Sequence, residues 1–310
     1  NDIQKLYDVK YQVIACDLHP GYASTRWALE QGFPLLEVQH HAAHASSLAG
    51  EHPDVGNWLV FAWDGVGYGN DGSLWGGEAL AGRPGRWDRV ASFRPFRLVG
   101  GDKAGREPWR SAAALLWELG EDPEQGSVLR VANDPERGSV PWVAYEAWQK
   151  RINTFESSAV GRLFDAAAAL VLGRGMASFE GQGPMELEHV ACDGGAYVSL
   201  PLVEDGQGIL RSDWAPLVEM LSDDRRSPGE RAGRFHESMA QALLDQALAL
   251  RERCEFEAVG LSGGVFQNRR LTECVVSKLG AAGIDVRLHR EVPANDGGLS
   301  FGQIIEAMSN

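Results

Sequence analysis

Pro34-Leu35-Leu36-Glu37-Val38-Gln39-His40-His41-Ala42-Ala43-His44-Ala45-Ser46-Ser47-Leu48-Ala49 is the stretch around which this chain is organised. Its first five residues form an apolar run of strand type, and the alanine-rich remainder predicts a helix. On that helix His40 and His44 stand one turn apart and face the same way. Two imidazoles on one helical face, at the end of a strand, make half of a metal site. Such a pair on an arbitrary helix also serves purely structural ends, so other residues must supply the second half. The sequence is not the His-Glu-x-x-His of zinc proteases: Ala42 and Ala43 offer no general base, which disfavours that hydrolytic mechanism. His41 points about 100° away and is not placed in the same set.

The chain has 310 residues, 44% of them hydrophobic, enough for one large core or two lobes. Its formal net charge of −14 argues against a broad nucleic-acid footprint, which needs a basic face. The cysteines Cys16, Cys192, Cys254 and Cys274 are far apart and show no C-x-x-C spacing, so neither a zinc ribbon nor a disulfide framework is indicated. Reduced cysteines in a cytoplasmic protein are the simplest expectation. No run of about 18 apolar residues and no basic-then-apolar leader is found, so no membrane partner is expected. The first residue is Asn, and the chain is expected to be a piece of a longer protein.

In order, strands are predicted at 11–16, 34–38 and 58–63, with a helix at 24–30. The segment 65–72 is expected to be a glycine-rich turn, 73–80 its return strand, and 88–99 a further strand pair. A helix follows at 107–119, opened by Pro108. The polar segment 120–140 is expected to be a surface excursion. Helices are predicted at 142–153, 161–173, 185–190 and 228–253. A buried strand at 256–261 breaks at Ser262-Gly263-Gly264, and a helix is expected from near Val265. A last strand at 286–289 precedes Pro293-Ala294-Asn295-Asp296-Gly297-Gly298 and a terminal helix. Repeated strand-to-turn transitions bearing Gly, Asp or His suggest an α/β protein whose ligands lie at carboxyl strand ends.

Asp64 ends an apolar strand before Gly65, and Asp296 precedes Gly297-Gly298 at a helix start. Each is open to two readings: a turn or cap residue, or a carboxylate ligand held by a rigid scaffold. Two His and two Asp would suit iron, zinc or manganese. Ser262-Gly263-Gly264 can bring backbone N–H groups to a phosphate, and Gln267 and Asn268 can reach a nucleotide. Asp165, one turn after Gly161, could hold ribose hydroxyls or make a surface ion pair. Glu180-Gly181-Gln182 is by itself uninformative.

These pieces occur together in a known family. Cys16-Asp17-Leu18-His19-Pro20-Gly21-Tyr22-Ala23-Ser24-Thr25 and Val38-Gln39-His40-His41-Ala42-Ala43-His44 resemble segments of the hydrogenase-maturation carbamoyltransferases of the HypF family. So do Asp64-Gly65-Val66-Gly67-Tyr68-Gly69-Asn70-Asp71-Gly72-Ser73-Leu74-Trp75-Gly76-Gly77-Glu78 and Gly100-Gly101-Asp102-Lys103-Ala104-Gly105-Arg106-Glu107-Pro108-Trp109-Arg110. Gly161-Arg162-Leu163-Phe164-Asp165, Phe179-Glu180-Gly181-Gln182, Leu261-Ser262-Gly263-Gly264-Val265-Phe266-Gln267-Asn268-Arg269 and Ala294-Asn295-Asp296-Gly297-Gly298-Leu299 continue the likeness in order. The W-G-G-E and R-E-P-W-R strings are the most specific.

The resemblance implies a Kae1-like domain with the two-lobed actin-like/Hsp70 (ASKHA) fold and RNase H-like lobes. It implies an N-terminal lobe at 1–105, a C-terminal lobe at 106–297 carrying the nucleotide-binding S-G-G turn, and a terminal helix at 298–310 that packs on the first lobe. It implies metal ligands His40, His44, Asp64 and Asp296, holding Fe, Zn or Mn, and a nucleotide lined by Gly161, Asp165, Ser262, Gly263, Gly264 and Asn268. The implied chemistry uses carbamoyl phosphate and ATP. A YrdC-like domain makes carbamoyl-adenylate, and the Kae1-like domain passes the carbamoyl group to the C-terminal cysteine of HypE, on the way to the cyanide ligands of nickel–iron hydrogenase. No protein nucleophile is then needed; His41 and His19 are candidates to assist the thiol. The family's acylphosphatase domain, zinc-finger cysteines, YrdC-like domain and first Kae1-like hairpin are not found in this sequence.

Three other classes share parts of this pattern. A tRNA threonylcarbamoyl transferase is opposed by the W-G-G-E and R-E-P-W-R strings and the acidic charge; tRNA binding would favour it. An ASKHA sugar kinase or chaperone-like ATP-binding module is opposed by the His pair; unimpaired ATP binding without metal would favour it. A small-molecule O-carbamoyltransferase differs only in its acceptor, which the motifs do not specify.

Overall fold

The computed structural model describes Leu6, residues 11–121 and residues 140–309. Most of the polar excursion expected at 120–140 therefore lies outside the described residues. β1 (Ile14–Asp17) and β2 (Leu35–Val38) pair in parallel through the crossover helix α1 (Ala23–Glu30). β2 feeds α2 (His40–Glu51), whose first turn is capped by the Gln39 side chain accepting from the Ala42 N–H. Small residues make α2 a helix that can be buried nearly all round: Ala43, Ala45, Ser46, Ser47 and Ala49 are all inside.

β3 (Trp58–Tyr68) follows. Its run Trp58–Trp63 is wholly buried, as befits a central strand flanked on both edges, by β10 in parallel and by β4 antiparallel. β4 (Leu74–Arg83) and β5 (Arg86–Phe93) continue as an antiparallel meander. β3 is longer than the sequence suggests, because the glycine-rich segment does not all turn. Ladder pairing resumes at Gly67 and Tyr68 after a break in register beyond Trp63. That irregularity falls at Asp64 and re-aims its side chain.

β6 (Phe96–Val99) is not the hairpin partner of β5. It pairs with β7 (Thr154–Ser157), while β5 pairs with β4 and with β9 (Leu210–Ser212). The helix α3 (Trp109–Glu118) is buried on nearly every face. α4 (Val140–Gln149) stops short of the expected 153, since Arg151 and Asn153 both take left-handed backbone that a helix cannot continue. α5 (Val160–Leu172) is fully internal until its end, where Gly173 caps it in the left-handed conformation. α6 (Gln182–Val190), β8 (Leu202–Glu204), α7 (Ala215–Ser222) and α8 (Pro228–Arg251) follow; α8 opens with a capping box between Ser227 and Glu230.

β10 (Ala258–Ser262) lies parallel to β3 and to β11 (Val286–Arg287). The helix expected from Val265 begins instead with a short 3-10 turn at Gly264–Gln267. α9 (Arg269–Ala281) then starts on Asn268, whose side chain caps it. α10 (Leu299–Ser309) ends the chain against α2. The two backbones touch: a Cβ added at Gly302 would lie 1.8 Å from the Ala43 carbonyl oxygen. Among the described residues the main sheet runs β11-β10-β3-β4-β5-β9-β8, with β7 attached to β4 and β6. This single ladder draws strands from both sides of residue 105. The four cysteines are free thiols, and no described helix is long and apolar enough to cross a membrane.

Candidate metal centre and nucleotide cleft

Three chain segments meet at the register break of β3, beside the carboxyl end of β10. α2 presents His40 and His44, the irregular point of β3 presents Asp64, and the turn before α10 presents Asp296. His40 Nε2 lies 3.2 Å from Asp64 Oδ2 and 3.7 Å from Asp296 Oδ1. His44 Nε2 lies 3.4 and 3.5 Å from the same two atoms. One ligand atom from each residue falls within 4.8 Å of all the others.

The residues fit a metal ion. His44 Nε2 is buried and makes no hydrogen bond, which is costly unless something else occupies its lone pair. Metal bonds of about 2.1 Å set neighbouring donors roughly 3.0–3.4 Å apart, close to the separations found here. The mixed N/O set suits iron, zinc or manganese. A carboxylate missed at the sequence level, Asp17, lies 2.8 Å from His40 Nδ1 and so turns Nε2 toward the cluster. Its signals were its place at the end of β1 and its presence in the Cys16–Thr25 string, neither of which assigned it a role.

Charge in the cluster is strongly perturbed. Burial works against a proton on His40, yet bonds to Asp17, Asp296 and Asp64 override it and hold the imidazolium well above its usual range. Burial likewise opposes protonated His44, and the Asp296 and Asp64 carboxylates reverse the effect. Burial would raise Asp64, but the two rings bring it well below the ordinary carboxylate range. His40 and His44 hold Asp296 down at about 2.

Of the nucleotide candidates, Gly161 and Gly264 abut Asp64 directly. A Cβ on Gly161 would stand 3.0 Å from the Asp64 carbonyl oxygen and 2.7 Å from Gly65 Cα. The Gly264 N–H donates to Asp64 Oδ1 at 3.2 Å. Gly263 has φ +99°, and a side chain there would collide with the Trp63 backbone. Its N–H donates to Ala294 O at 2.8 Å. Ser262 and Asn268 sit beside this turn with their side chains already engaged. The Ser262 hydroxyl meets His44 O at 3.0 Å and His289 Nε2 at 2.9 Å. Asn268 Oδ1 accepts from Leu271 N, and its Nδ2 lies 3.0 Å from His236 Nε2. Asp165 is buried on α5, which pushes its carboxyl up to about 6 although Arg162 lies 2.7 Å away. His41 is fully inside and turned toward Gln39 and Glu78, and burial pushes it down to about 3. His19 is partly exposed and stacks on Tyr22.

Glu78, from the W-G-G-E string, is wholly buried. It accepts from the Gly77 N–H, Arg89, Ser92 and Ser158. Its role is to bind β4, β5 and the entry to α5 into one frame beneath the cluster.

Comparison with known proteins agrees with this architecture. A family model described as "Carbamoyltransferase, Kae1-like Domain, second subdomain" matches residues 60–303, and one described as "HypF Kae1-like domain" matches residues 1–51. The chain thus has an α/β, Kae1-like fold. Carbamoyltransferase HypF of Rhodobacter capsulatus is 39% identical over 314 residues, covering 99% of this chain and 40% of that protein. Carbamoyltransferase HypF of Synechocystis is 33% identical, covering 98% of this chain and 41% of its own length. A crystal structure of full-length HypF in a phosphate- and nucleotide-bound form superposes with a TM-score of 0.90 at 31% identity, covering 99% of this chain and 48% of that one. The HypF structure from T. kodakarensis gives 0.80 at 29% identity, over 95% and 40% of the two chains. The chain belongs to the HypF carbamoyltransferase family and spans about two-fifths of the length of these curated relatives.

Proposed function

We propose that this chain is the transfer module of a carbamoyltransferase. It receives a carbamoyl group as carbamoyl-adenylate and hands it to the C-terminal cysteine thiol of a HypE-like partner, in cyanide-ligand synthesis for nickel–iron hydrogenase. The adenylate itself would come from ATP and carbamoyl phosphate on a YrdC-like domain elsewhere in the full-length protein. The observation that carries this reading is the position of Asp64: one residue lines the four-donor cluster and abuts both glycine motifs, Gly161 and Gly264. A nucleotide seated on those glycines would bring its phosphate end to the cluster. Full-length HypF crystallised with phosphate and nucleotide is consistent with such a ligand.

His40, His44, Asp64 and Asp296 would hold the metal, which when bound supplies a Lewis acid for the carbonyl or phosphate oxygens. Gly161, Gly263 and Gly264, carrying no side chain, let the start of α5 and the S-G-G turn close onto Asp64, Gly65 and Trp63, which would set their backbones beside the nucleotide. Asp165 faces the ribose hydroxyls, with Ser262 and Asn268 keeping the turn in shape. In the transfer, the partner's thiolate forms a C–S bond to the carbamoyl carbon, the C–O bond to the phosphate breaks, and AMP leaves. The thiol proton passes to solvent water before attack, and the electron pair of the broken C–O bond leaves with AMP. The chain's contribution is proximity and exclusion of water, which would otherwise hydrolyse the mixed anhydride.

The test supplies purified chain with carbamoyl-adenylate and a partner protein ending in cysteine. The partner's mass should rise by one carbamoyl group, and removal of its last residue should abolish the gain. Free carbamate and AMP, with no change in the partner, would sink the reading.

A further inference from the structure

Glu51 ends α2, where an acidic residue opposes the helix dipole and no basic residue in the last turn compensates. Its carboxylate is nevertheless not given over to water: 7% of the side chain is exposed. Oε1 accepts from the N–H groups of Glu291 at 2.6 Å, Val292 at 3.1 Å and Arg290 at 3.3 Å. Oε2 lies 2.9 Å from His289 Nδ1. Four consecutive residues, 289–292, are gathered on one carboxylate.

Those residues lead straight to Asp296. Asp296 sits on a three-residue 3-10 turn with its side chain 68% exposed, so side-chain packing does little to fix it. Its backbone is fixed instead. Ala294 O accepts from Gly263 N, Asn295 Oδ1 accepts from Gly297 N, and Glu51 holds the stretch before them. The other nitrogen of His289 reaches the Ser262 hydroxyl, which touches the carbonyl of His44. One network therefore joins the end of the His-bearing helix, the Asp-bearing segment and a backbone group of His44.

We propose that Glu51 is a positioning residue that ties the segment carrying Asp296 to the helix carrying His40 and His44, so that the donors are assembled before a cation arrives. The role presupposes that these residues and Asp64 hold the cation, as the proposed function requires. Preordering the exposed donor removes an entropic cost from binding. Glu51 touches none of the four donors and acts through the backbone of 290–292.

A double-mutant cycle on the whole chain tests it, with Zn²⁺ alone as probe. Affinity is measured by titration calorimetry for the metal-free wild type, Glu51→Gln, Asp296→Asn and the double variant. Glu51→Gln should weaken Zn²⁺ about 10- to 100-fold with the far-UV spectrum retained. In the Asp296→Asn background it should cost under about twofold, because the donor it positions is gone. Unchanged affinity in Glu51→Gln, or fully additive losses, would overturn the proposal. Amide exchange reads the same clamp without metal: residues 290–292 should lose protection in Glu51→Gln while α2 keeps its own, and equal protection would overturn the proposal. Zn²⁺ binding that ignores His44→Ala would remove the metal-site reading, and the exchange measurement would still judge the clamp. Should Glu51→Gln not fold, Glu51→Asp keeps the charge, cannot reach all three amides, and should show the same pattern at smaller size; wild-type affinity and protection there would count against the clamp.

Discussion

Asp17 Oδ2 lies 2.8 Å from His40 Nδ1, across the ring from the nitrogen that faces Asp64 and Asp296. The pair comes from two elements, the end of β1 and the start of α2, and it fixes which nitrogen points into the cluster. An oriented imidazole with a carboxylate behind it is a stronger and better aimed donor. Asp17→Ala should therefore weaken Zn²⁺ binding by about 10- to 100-fold, and Asp17→Asn by less, since an amide oxygen can still accept from Nδ1–H. Competition with a chelator measures both. Equal affinity in wild type and Asp17→Ala would refute the orienting role.

His44→Ala removes a donor outright. The buried Nε2 makes no well-formed hydrogen bond and only the long 3.4 and 3.5 Å contacts with Asp64 and Asp296, so the fold should survive and the metal should not. Elemental analysis of the purified variant should find the chain depleted, with weaker nucleotide binding. Full occupancy would contradict the ligand assignment.

Gly302 is where α10 meets α2. A Cβ placed 1.8 Å from the Ala43 carbonyl cannot be accommodated, so Gly302→Ala must push the helices apart. Overpacking of this kind costs about 1–3 kcal/mol. A denaturant midpoint unchanged from wild type would show that α10 can shift freely. A separated α10 also carries Asp296 away from His44, so metal affinity should fall together with stability.

His236 supports Asn268 from α8. It is buried, its Nδ1 donates to Ala232 O and its Nε2 accepts from Asn268. Burial pushes its pKa down to about 4. The unfolded chain thus takes up this proton first as pH falls, at the ordinary value near 6.5. Stability contributed by neutral His236 is present above about 6.5 and is lost as pH drops toward 4, up to about 3 kcal/mol. His236→Gln should lose that slope; a denaturation series from pH 7 to pH 4 compares the two. Parallel curves would show that His236 takes up protons equally in both states.

The elements that could be read from the sequence were those with a strong local pattern. The alanine-rich helix bearing His40 and His44, the apolar core of β3 and the capped helix α8 all announce themselves over many consecutive residues. Asp64 and Asp296 were visible as acids at strand or helix ends, although only the fold brings them together. β7, β8 and β9 were missed because each is three or four residues long and is defined by a distant partner, not by its own alternation. The continuation of β3 through Gly65 and Gly67 was missed for a related reason: glycine reads as a turn unless a neighbouring strand is known to be there. Asp17, Glu51, Glu78 and His236 act through partners far along the chain; Asp17 and Glu78 stand inside quoted family strings, yet no local pattern gives any of the four its role. Ser262 and Asn268 look like ligand contacts in one dimension, yet their side chains turn out to be engaged with protein partners.

The four donors at positions 40, 44, 64 and 296, together with α10 closing on α2, also bear on how the molecule is made. A ribosome delivers the two histidines and the first aspartate early and the last aspartate near the end of the described chain. Until then the growing polypeptide holds an incomplete, strongly charged cluster whose covering helix does not yet exist. On the proposed ligand set, the full complement of four donors exists only once synthesis has passed Asp296. A copy halted before that point would carry the most conspicuous part of the site and still be unable to assemble it.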